Sequence, residues 1–306
     1  MMRNCALVVA CLTAAVAAGC AAQPAVDTAP SSRCSPARPF ADGGERATLW
    51  VRQSAEFRAA SEIIYRSAAV ALAENLVDSA VSAEPAQQSG FSDLPPAVVM
   101  DIDDTVLDNS APQARMILQV TCPPEFDAAW DAWVAQRAAP AVPGAADFIR
   151  AARAMRDTAG RPVRVFFITN RECSKRAGLD TACPQQDDTL ANLRSLGLDA
   201  PTLAEDLMLK GERAEWPSEK ESRRQEVARA HRIVLNVGDD FGDFLPGVRR
   251  QSVAERERAR CAHRDWWGTR WFLVPNPMYG SWQAALGPDL EAALALPPPP
   301  ENCPAP

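Results

Sequence analysis

The sequence predicts an α/β fold in which helices cover both faces of a mostly parallel sheet. Short, mainly apolar runs alternate with helical patterns along the chain. The runs at 97–100, 163–168 and 233–237 are clear, and those at 207–209 and 271–274 are weaker. A continuous apolar run is typical of a strand buried on both faces, and strand–helix alternation favours a parallel sheet. Ligands bind such sheets beyond the carboxyl ends of the strands, so the residues after each run are candidate site residues.

The composition is that of a globular protein with additional segments at both ends. The chain has 306 residues, 47% of them hydrophobic and 23% charged, and its net charge is −7. An acidic chain without a basic cluster is not expected to bind nucleic acid. We predict a signal peptide at 1–19, a flexible tether at 20–44, one folded domain at 45–296 and a proline-rich tail at 297–306. The domain begins with a long helical pattern at 46–80.

The first 20 residues have the features of an export signal. Arg3 precedes an apolar stretch at 6–18 that is too short to span a bilayer comfortably. The stretch ends in Ala-Ala-Gly-Cys, which resembles a bacterial lipobox, so Cys20 is predicted to carry a lipid that anchors the protein in a membrane. Because no Asp follows Cys20, known sorting patterns favour the outer membrane, with the protein facing the periplasm or the cell surface. The alternative is simple secretion after cleavage at a nearby small residue.

Nine cysteines fit an exported protein. Cys5 and Cys11 would leave with the signal peptide and Cys20 would be lipidated, so six cysteines remain. Cys173 and Cys183 bracket a short polar loop, and closing a short loop costs little entropy, so we predict that they pair. The alternative is that some or all of the six remain free thiols. No C-x-x-C motif occurs, so no zinc site is predicted.

Acidic residues follow the first predicted strand. Asp101, Asp103, Asp104 and Asp108 place four carboxylates within eight residues. Because these groups repel one another beside a buried strand, a cation is expected among them, and Mg²⁺ suits oxygen ligands. A calcium-binding loop is excluded, since Val106 occupies the position where that loop requires Gly. The remaining alternative is a solvated acidic loop.

Polar residues follow the second and third clear strands as well. Thr169, Asn170 and Arg171 offer a hydroxyl, an amide and a cation, which can hold phosphate oxygens. On its own this signal is weak, because Thr-Asn is common at turns. Asp239 and Asp243 belong to a second acidic cluster, at 238–243, as a shared metal site would require. The two acidic clusters are neighbours if their strands are adjacent in the sheet.

Lys220 is a candidate phosphate ligand. Ser218 and Glu221 have the spacing of a capping box, which predicts a helix starting at Ser218 with Lys220 in its first turn. The helix dipole disfavours a cation there, and a bound phosphate would offset this. The alternatives are a solvated lysine at 220, or Lys210 as the phosphate ligand.

Together these motifs resemble those of the haloacid dehalogenase superfamily. Its four motifs occur in order, as D-x-D-x-T at 101–105, T-N at 169–170, Lys220 and G-D-D at 238–240. More narrowly, the chain resembles the bacterial class C acid phosphatases, outer-membrane lipoprotein 5′-nucleotidases, over roughly residues 48–290. Further matches are the segments 50–56, 101–110, 130–133, 141–144 and 275–282. The resemblance implies a Rossmann-type three-layer sandwich, with a small helical subdomain from the N-terminal helix and inserted segments.

The resemblance also implies the site residues of a phosphomonoester hydrolase. Asp101 would be the nucleophile and Asp103 the general acid and base. One Mg²⁺ per chain would be held by Asp101, the backbone carbonyl of Asp103 and Asp239. Thr169 and Lys220 would hold the phosphoryl oxygens. The residues expected to support these ligands from behind are Asp243, Asn170 and Thr105.

The substrate implied by the resemblance is a nucleoside 5′-monophosphate. Trp130 and Tyr279 are expected to stack on the base, whereas Trp133 is more consistent with the core. The alternatives are a broad acid phosphatase without nucleotide preference and a non-catalytic, ligand-binding surface lipoprotein. The sequence departs from the family at Asp240, where Asn is common, and at 111–121, which matches poorly.

Overall fold

The computed structural model describes residues 44–118, 123–176, 178–298 and 303. The predicted signal peptide, the lipidation site Cys20 and all but the last residue of the predicted tether lie outside the described residues, as does most of the tail. Among the helices that are described, none has the length and apolar character needed to cross a bilayer.

Five strands form one parallel sheet in the described part of the chain. They are β1 (Pro96–Met100), β2 (Arg164–Glu172), β3 (Leu207–Lys210), β4 (Arg232–Gly238) and β5 (Trp271–Leu273). Their order is β3-β2-β1-β4-β5, and each neighbouring pair is parallel. Each strand lies on one of the five apolar runs, which confirms the predicted fold. β2 extends to Glu172, so Thr169 lies inside this strand and not after it.

Helices and short 3-10 turns connect the strands. The α-helices are α1 (Gly44–Gln53), α2 (Ala55–Val77), α3 (Ser110–Leu118), α4 (Pro123–Val134), α5 (Ala145–Ala154), α6 (Pro184–Ser195), α7 (Leu203–Asp206), α8 (Glu221–Ala230), α9 (Val253–Ala262), α10 (Ser281–Leu286) and α11 (Leu290–Ala295). The 3-10 helices are Phe241–Asp243 and Val248–Arg250. Above the sheet, α3 packs against both α1 and α4, which corresponds to the predicted helical subdomain.

The single long helix predicted at 46–80 is wrong, because the chain divides it at Ser54. This residue has an extended backbone, with φ −80° and ψ 144°, and its hydroxyl accepts a hydrogen bond of 3.0 Å from the Phe57 N–H. Ser54 is therefore the N-cap of α2. The apolar period continues across the break, so the pattern alone does not reveal it. The second helix ends at Val77, where Asp78 becomes extended.

The sheet is covered on both faces, which gives three layers. On β1, Val98 and Met100 belong to one apolar cluster, which includes Leu72 of α2 and Ile149 of α5. The alternating residues of β1 belong to the opposite cluster, which includes Val227 of α8. Burying a side chain such as Leu72 stabilises the fold by about 1.5–3 kcal/mol. Strands buried on both faces explain why the five runs are mainly apolar; Asn236 in β4 is buried, and its amide donates to the Asp243 carbonyl at 2.9 Å.

Two disulfide bonds join described cysteines. Cys173 pairs with Cys183, which confirms the predicted bridge across the loop after β2. Cys261 of α9 pairs with Cys303 in the tail, a pairing that sequence spacing did not single out. The second bond holds part of the proline-rich tail against α9.

Candidate active site

The carboxyl ends of the three central strands meet at one edge of the sheet. Because β1 lies between β2 and β4, the acidic clusters after β1 and β4 are neighbours, as predicted. Together with the segment before α8, these ends surround a cavity of about 420 Å³. The lining residues are Asp101, Asp103, Gln113, Trp130, Asn170, Arg171, Lys220, Asp239, Asp240, Asp243, Arg249, Tyr279, Gly280 and Gln283.

Asp101 lies directly after β1 and is 8% exposed. Its backbone N–H donates to the Val237 carbonyl at 3.0 Å, which continues the pairing of β1 with β4. Burial raises the pKa of its carboxyl to about 6; Lys220 lowers this pKa, and Asp243 and Asp103 raise it. The Lys220 ammonium forms an ion pair with Asp101. The carboxylate is thus held at the base of the cavity by a cation that also faces the cavity.

Lys220 precedes α8, so the predicted capping box is wrong. The helix begins at Glu221, and Lys220 is its N-cap residue, with a helical backbone and no side-chain capping bond. Its ammonium lies 2.7 Å from Asp243 as well as against Asp101. Burial lowers the pKa of this lysine, but the attraction of the two carboxylates outweighs burial and raises it overall. Lys210, the alternative, pairs with Glu172 at 3.5 Å and does not line the cavity.

Asp239 lies directly after β4 and shares a cluster with Asp101 and Asp243, whose carboxylate oxygens lie within 4.8 Å of one another. Its two oxygens accept hydrogen bonds of 2.9 Å from the Thr105 hydroxyl and the Asn276 amide. Burial, and then repulsion from Asp101 and Asp243, raise the pKa of Asp239 well above its ordinary value. None of the described cationic side chains forms an ion pair with it. These oxygen donors therefore suit a hard divalent cation.

Asp243 supports the cluster from the turn after β4. One of its oxygens accepts from the Asp240 N–H at 2.9 Å, and the other pairs with Lys220. A Cβ at Gly238 would lie 2.3 Å from Asp243 Oδ2, so glycine at 238 leaves the room that this carboxylate occupies. Both oxygens of Asp243 are used within the protein, which fits the supporting role predicted for it.

Asp103 is held from several sides. Arg171 Nε donates to Oδ1 at 3.0 Å, and Arg171 Nη2 lies 2.9 Å from the same oxygen as an ion pair. The Thr169 hydroxyl donates to Oδ2 at 3.1 Å. The Asn109 amide also donates to Oδ1, at 2.8 Å. Trp133 Nε1 in turn donates to the Asn109 side-chain oxygen at 2.8 Å, and Trp133 is buried as expected for a core residue. The sequence did not predict that Asn109 and Trp133 hold Asp103 in position, because no local sequence pattern indicates these contacts.

The comparisons with known proteins agree with this geometry. The family model for the HAD superfamily, subfamily IIIB (acid phosphatase), matches residues 46–282. The chain belongs to this family. The class C acid phosphatase from Bacillus anthracis is 30% identical, with a TM-score of 0.61 over 79% of this chain and 87% of that one. Its tungstate-bound form is 28% identical, with a TM-score of 0.63 over 82% and 90% of the two chains. The protein is thus an acid phosphatase, a phosphomonoester hydrolase, as the sequence predicted.

The acid phosphatase places Tyr279 and Trp130 in the cavity wall, and both are half-buried. The Tyr279 hydroxyl donates to the Asp104 carboxylate. The sequence places Asp104 in the first acidic cluster but does not predict this contact. Asp104 has a left-handed backbone, with φ 58°, and also accepts from the Asn109 N–H at 2.9 Å. Burial raises the pKa of Asp104 to about 8. The Asp104 carboxyl therefore connects the loop after β1 to the segment that carries Tyr279.

The remaining predicted residues lie at the edges of the site. Thr105 donates to Asp239, as described above, and its carbonyl accepts from the Tyr65 hydroxyl at 2.6 Å. The Asn170 side-chain oxygen accepts from Arg223 at 2.8 Å. Asp240, the departure from the family, accepts from the Ser281 N–H and hydroxyl and from the Gly242 N–H. Burial raises the pKa of Asp240, but these hydrogen bonds outweigh burial, and its pKa is lowered.

A second cavity, of about 640 Å³, adjoins Asp239 and Asp240 on the side of α9 and α10. Its walls are mainly apolar and aromatic, including Phe241, Trp267 and Trp282. Asp101 and Lys220 do not line it, whereas both line the smaller cavity.

Proposed function

We propose that this acid phosphatase hydrolyses nucleoside 5′-monophosphates through a phosphoryl group carried by Asp101, with one Mg²⁺. The observation that carries the proposal is the arrangement of Asp101 beside Lys220, with Asp103 facing the same cavity. A relative of the same family binds tungstate, an oxyanion with the tetrahedral shape of phosphate, which agrees with a phosphate substrate.

The proposed reaction has two steps. In the first, a carboxylate oxygen of Asp101 attacks phosphorus in line, the bond to the ester oxygen breaks, and protonated Asp103 donates its proton to the leaving alkoxide. In the second, Asp103 accepts a proton from a water molecule that attacks phosphorus, which releases phosphate and restores the Asp101 carboxylate. Lys220 stabilises the charge on the phosphoryl oxygens. Arg171 and Asn109 keep Asp103 in position for both proton transfers.

The metal proposal rests on the oxygen donors described above. Asp101, Asp239 and the Asp103 carbonyl would hold the ion, while Asp243 remains paired with Lys220. When bound, Mg²⁺ would neutralise charge on the phosphoryl oxygens. The same ion would relieve the repulsion that Asp101 and Asp243 exert on Asp239, which adds to burial in raising the pKa of Asp239.

The nucleotide preference rests on two aromatic rings in the cavity wall. Trp130 belongs to α4, and Tyr279 lies in the segment between β5 and α10. Stacking on an aromatic ring contributes about 1–3 kcal/mol per base. The hydrogen bond from Tyr279 to Asp104 restricts the orientation of its ring, which reduces the entropy lost on binding a base.

The same bond favours the second candidate, an acid phosphatase without nucleotide preference. If Tyr279 serves mainly to hold Asp104, the rings supply no contact that selects a base.

Phosphate release from adenosine 5′-monophosphate, glycerol 2-phosphate and p-nitrophenyl phosphate, with Mg²⁺ or with EDTA, tests these points. We expect activity that EDTA removes and Mg²⁺ restores, with the highest kcat/KM for the nucleotide. Equal kcat/KM values for the three esters would support the broad phosphatase. Full activity in EDTA after metal stripping would contradict the metal proposal.

We also propose that the enzyme is exported and anchored to the outer membrane through a lipid on Cys20. The disulfide bonds Cys173–Cys183 and Cys261–Cys303 support export, because such bonds persist in oxidising compartments. Cys20→Ser should move the protein from the membrane fraction to the soluble fraction. A wild-type protein that is soluble and carries no lipid by mass spectrometry would favour simple secretion.

A further inference from the structure

Arg249 is a cation in the wall of the catalytic cavity that the proposed reaction does not use. It belongs to the 3-10 helix Val248–Arg250 and is half-buried. Its side chain lines the same cavity as Asp101 and Lys220. Within the described part of the chain, its guanidinium forms neither an ion pair nor a hydrogen bond with another residue. Five N–H donors are therefore left for a group that enters the cavity.

The other two cations of the cavity are already engaged. Lys220 pairs with Asp101 and Asp243. The Arg171 guanidinium contacts Asp103 and donates to the Thr189 hydroxyl at 2.9 Å. Arg249 thus differs from both, because it lines the same cavity and pairs with none of the described carboxylates.

Asp240, an acidic residue that attracts Arg249, is already hydrogen-bonded to other groups. Asp240 already accepts three hydrogen bonds, of 2.5–2.8 Å, from Ser281 and Gly242. Attraction from Arg249 is only the last of the causes that lower the Asp240 pKa. The guanidinium instead lies over Gly242, where a Cβ would be 3.2 Å from Arg249 Nε and 3.6 Å from Nη2.

The turn that carries Arg249 is well supported. Val248 is 1% exposed, and its carbonyl accepts a hydrogen bond of 2.8 Å from Arg256 Nη1. The same Arg256 nitrogen donates to the Ser281 hydroxyl at 3.0 Å, which ties the turn to α10. A cation on such a supported turn loses little backbone freedom when it binds an anion.

We propose that Arg249 binds a second anionic group, a phosphate or a carboxylate, on the leaving-group side of the substrate. The inference rests on the proposed placement of the scissile phosphoryl group at Asp101. A guanidinium binds either oxyanion through two parallel hydrogen bonds. The preferred substrates are then phosphomonoesters with a further negative charge, such as nucleoside 3′,5′-bisphosphates.

The test compares substrates that differ only by the second anion. Adenosine 3′,5′-bisphosphate is compared with adenosine 5′-monophosphate, and O-phosphoserine with phosphoethanolamine, by kcat/KM on the wild type, Arg249→Gln and Arg249→Lys. For each pair, the ratio of interest is kcat/KM for the substrate with the second anion divided by kcat/KM for the substrate without it. We expect Arg249→Gln to lower this ratio about tenfold, mainly by raising KM for the substrate with the second anion. Arg249→Lys should lower the ratio less, because it keeps the positive charge. Loss confined to the bisphosphate pair would assign the site to phosphate, and loss in the phosphoserine pair to carboxylate. Arg250→Gln, on the exposed next residue, is the matched control and should leave both ratios unchanged.

Binding provides a second measurement that does not depend on turnover. The binding of adenosine 5′-monophosphate and adenosine 3′,5′-bisphosphate is measured by calorimetry with Asp101→Asn and with the double variant Asp101→Asn/Arg249→Gln. The added Arg249→Gln change should weaken binding of the bisphosphate and leave binding of the monophosphate nearly unchanged. If wild-type enzyme releases phosphate but Arg249→Gln weakens all substrates equally, Arg249 acts on the scissile phosphate or on Asp240, and the inference is wrong. If the wild type is active on p-nitrophenyl phosphate but Asp101→Asn is equally active, the proposed mechanism fails instead.

Discussion

The two sides of the catalytic cavity differ in burial and in pairing. On the nucleophile side, the side chains of Asp101, Lys220 and Asp243 are 3–9% exposed and pair with one another. On the side proposed to face the leaving group, Trp130, Tyr279 and Arg249 are half-buried, and Arg249 is unpaired among the described residues. The proposed mechanism accounts for the difference, since the phosphoryl group is common to all phosphomonoesters whereas the leaving group varies. A buried network of paired side chains suits the phosphoryl group, which is the same in every substrate. Separate, half-buried side chains suit a leaving group that differs between substrates.

The two sides also differ in their origin along the chain. The nucleophile side comes from the ends of β1 and β4 and the residue before α8, which the parallel sheet brings together. The leaving-group side comes from α4, a 3-10 helix and the segment before α10. Substitutions on the first side should therefore change kcat, and substitutions on the second should change KM.

The largest effect is expected for Asp101→Asn. An amide cannot form the acyl phosphate, so kcat should fall by at least about 10⁴-fold. The measurement is phosphate release at saturating Mg²⁺, with circular dichroism to establish folding. Asp108→Asn is the matched control, because Asp108 lies in the same loop but outside the cavity. Near wild-type turnover by folded Asp101→Asn would remove Asp101 as the nucleophile.

A smaller effect is expected for Asp239→Ala. Loss of one ligand oxygen should raise the Mg²⁺ concentration for half-maximal activity by at least about tenfold. Stability should change less, because Asp239 is a carboxylate that its neighbours repel. Titration of activity against Mg²⁺ and thermal unfolding measure the two effects. Asp265→Ala serves as control, since that side chain is 91% exposed. An unchanged metal requirement in Asp239→Ala would exclude Asp239 from the metal site.

On the leaving-group side, Trp130→Ala and Tyr279→Ala should raise KM for adenosine 5′-monophosphate. Loss of one stacking ring corresponds to about a 5- to 100-fold change, and KM for glycerol 2-phosphate should change much less. Tyr279→Phe is the matched control, because it keeps the ring and loses only the hydrogen bond to Asp104. If Tyr279→Phe is as impaired as Tyr279→Ala, the bond to Asp104 matters and the stacking does not.

The smallest effect is expected for Trp133→Phe. This change removes the hydrogen bond to Asn109, which in turn holds Asp103. A hydrogen bond contributes about 0.5–1.5 kcal/mol, so kcat should fall about 2- to 10-fold with KM little changed. Trp216→Phe controls for the loss of a buried indole, because Trp216 lies in the opposite apolar cluster. An equal fall in kcat for both variants would mean that Trp133 acts only through stability.

Local patterns were sufficient to predict the strands and their acidic ends. Each apolar run overlaps a strand, because a segment buried on both faces is mainly apolar; its few polar side chains, such as Asn236 in β4, are hydrogen-bonded. Local patterns failed at Ser54 and Ser218, which both have the spacing of helix caps. Ser54 caps α2, inside a pattern predicted as one helix, whereas Ser218 lies outside α8, which starts only at Glu221. Capping depends on where the chain turns, and packing decides this as much as the local residues do.

The sequence by itself determined the order of the strands along the chain, the carboxylates at their ends and the short disulfide loop. These features depend on hydrophobic periodicity and on neighbours a few residues apart. Only the tertiary structure decided that Tyr279 donates to Asp104 and that Lys220 lies between Asp101 and Asp243. It also decided that Arg249 lines the cavity with no partner among the residues that the structure describes. These contacts join residues that are distant in sequence, and their geometry follows from how the layers pack, which no local pattern encodes.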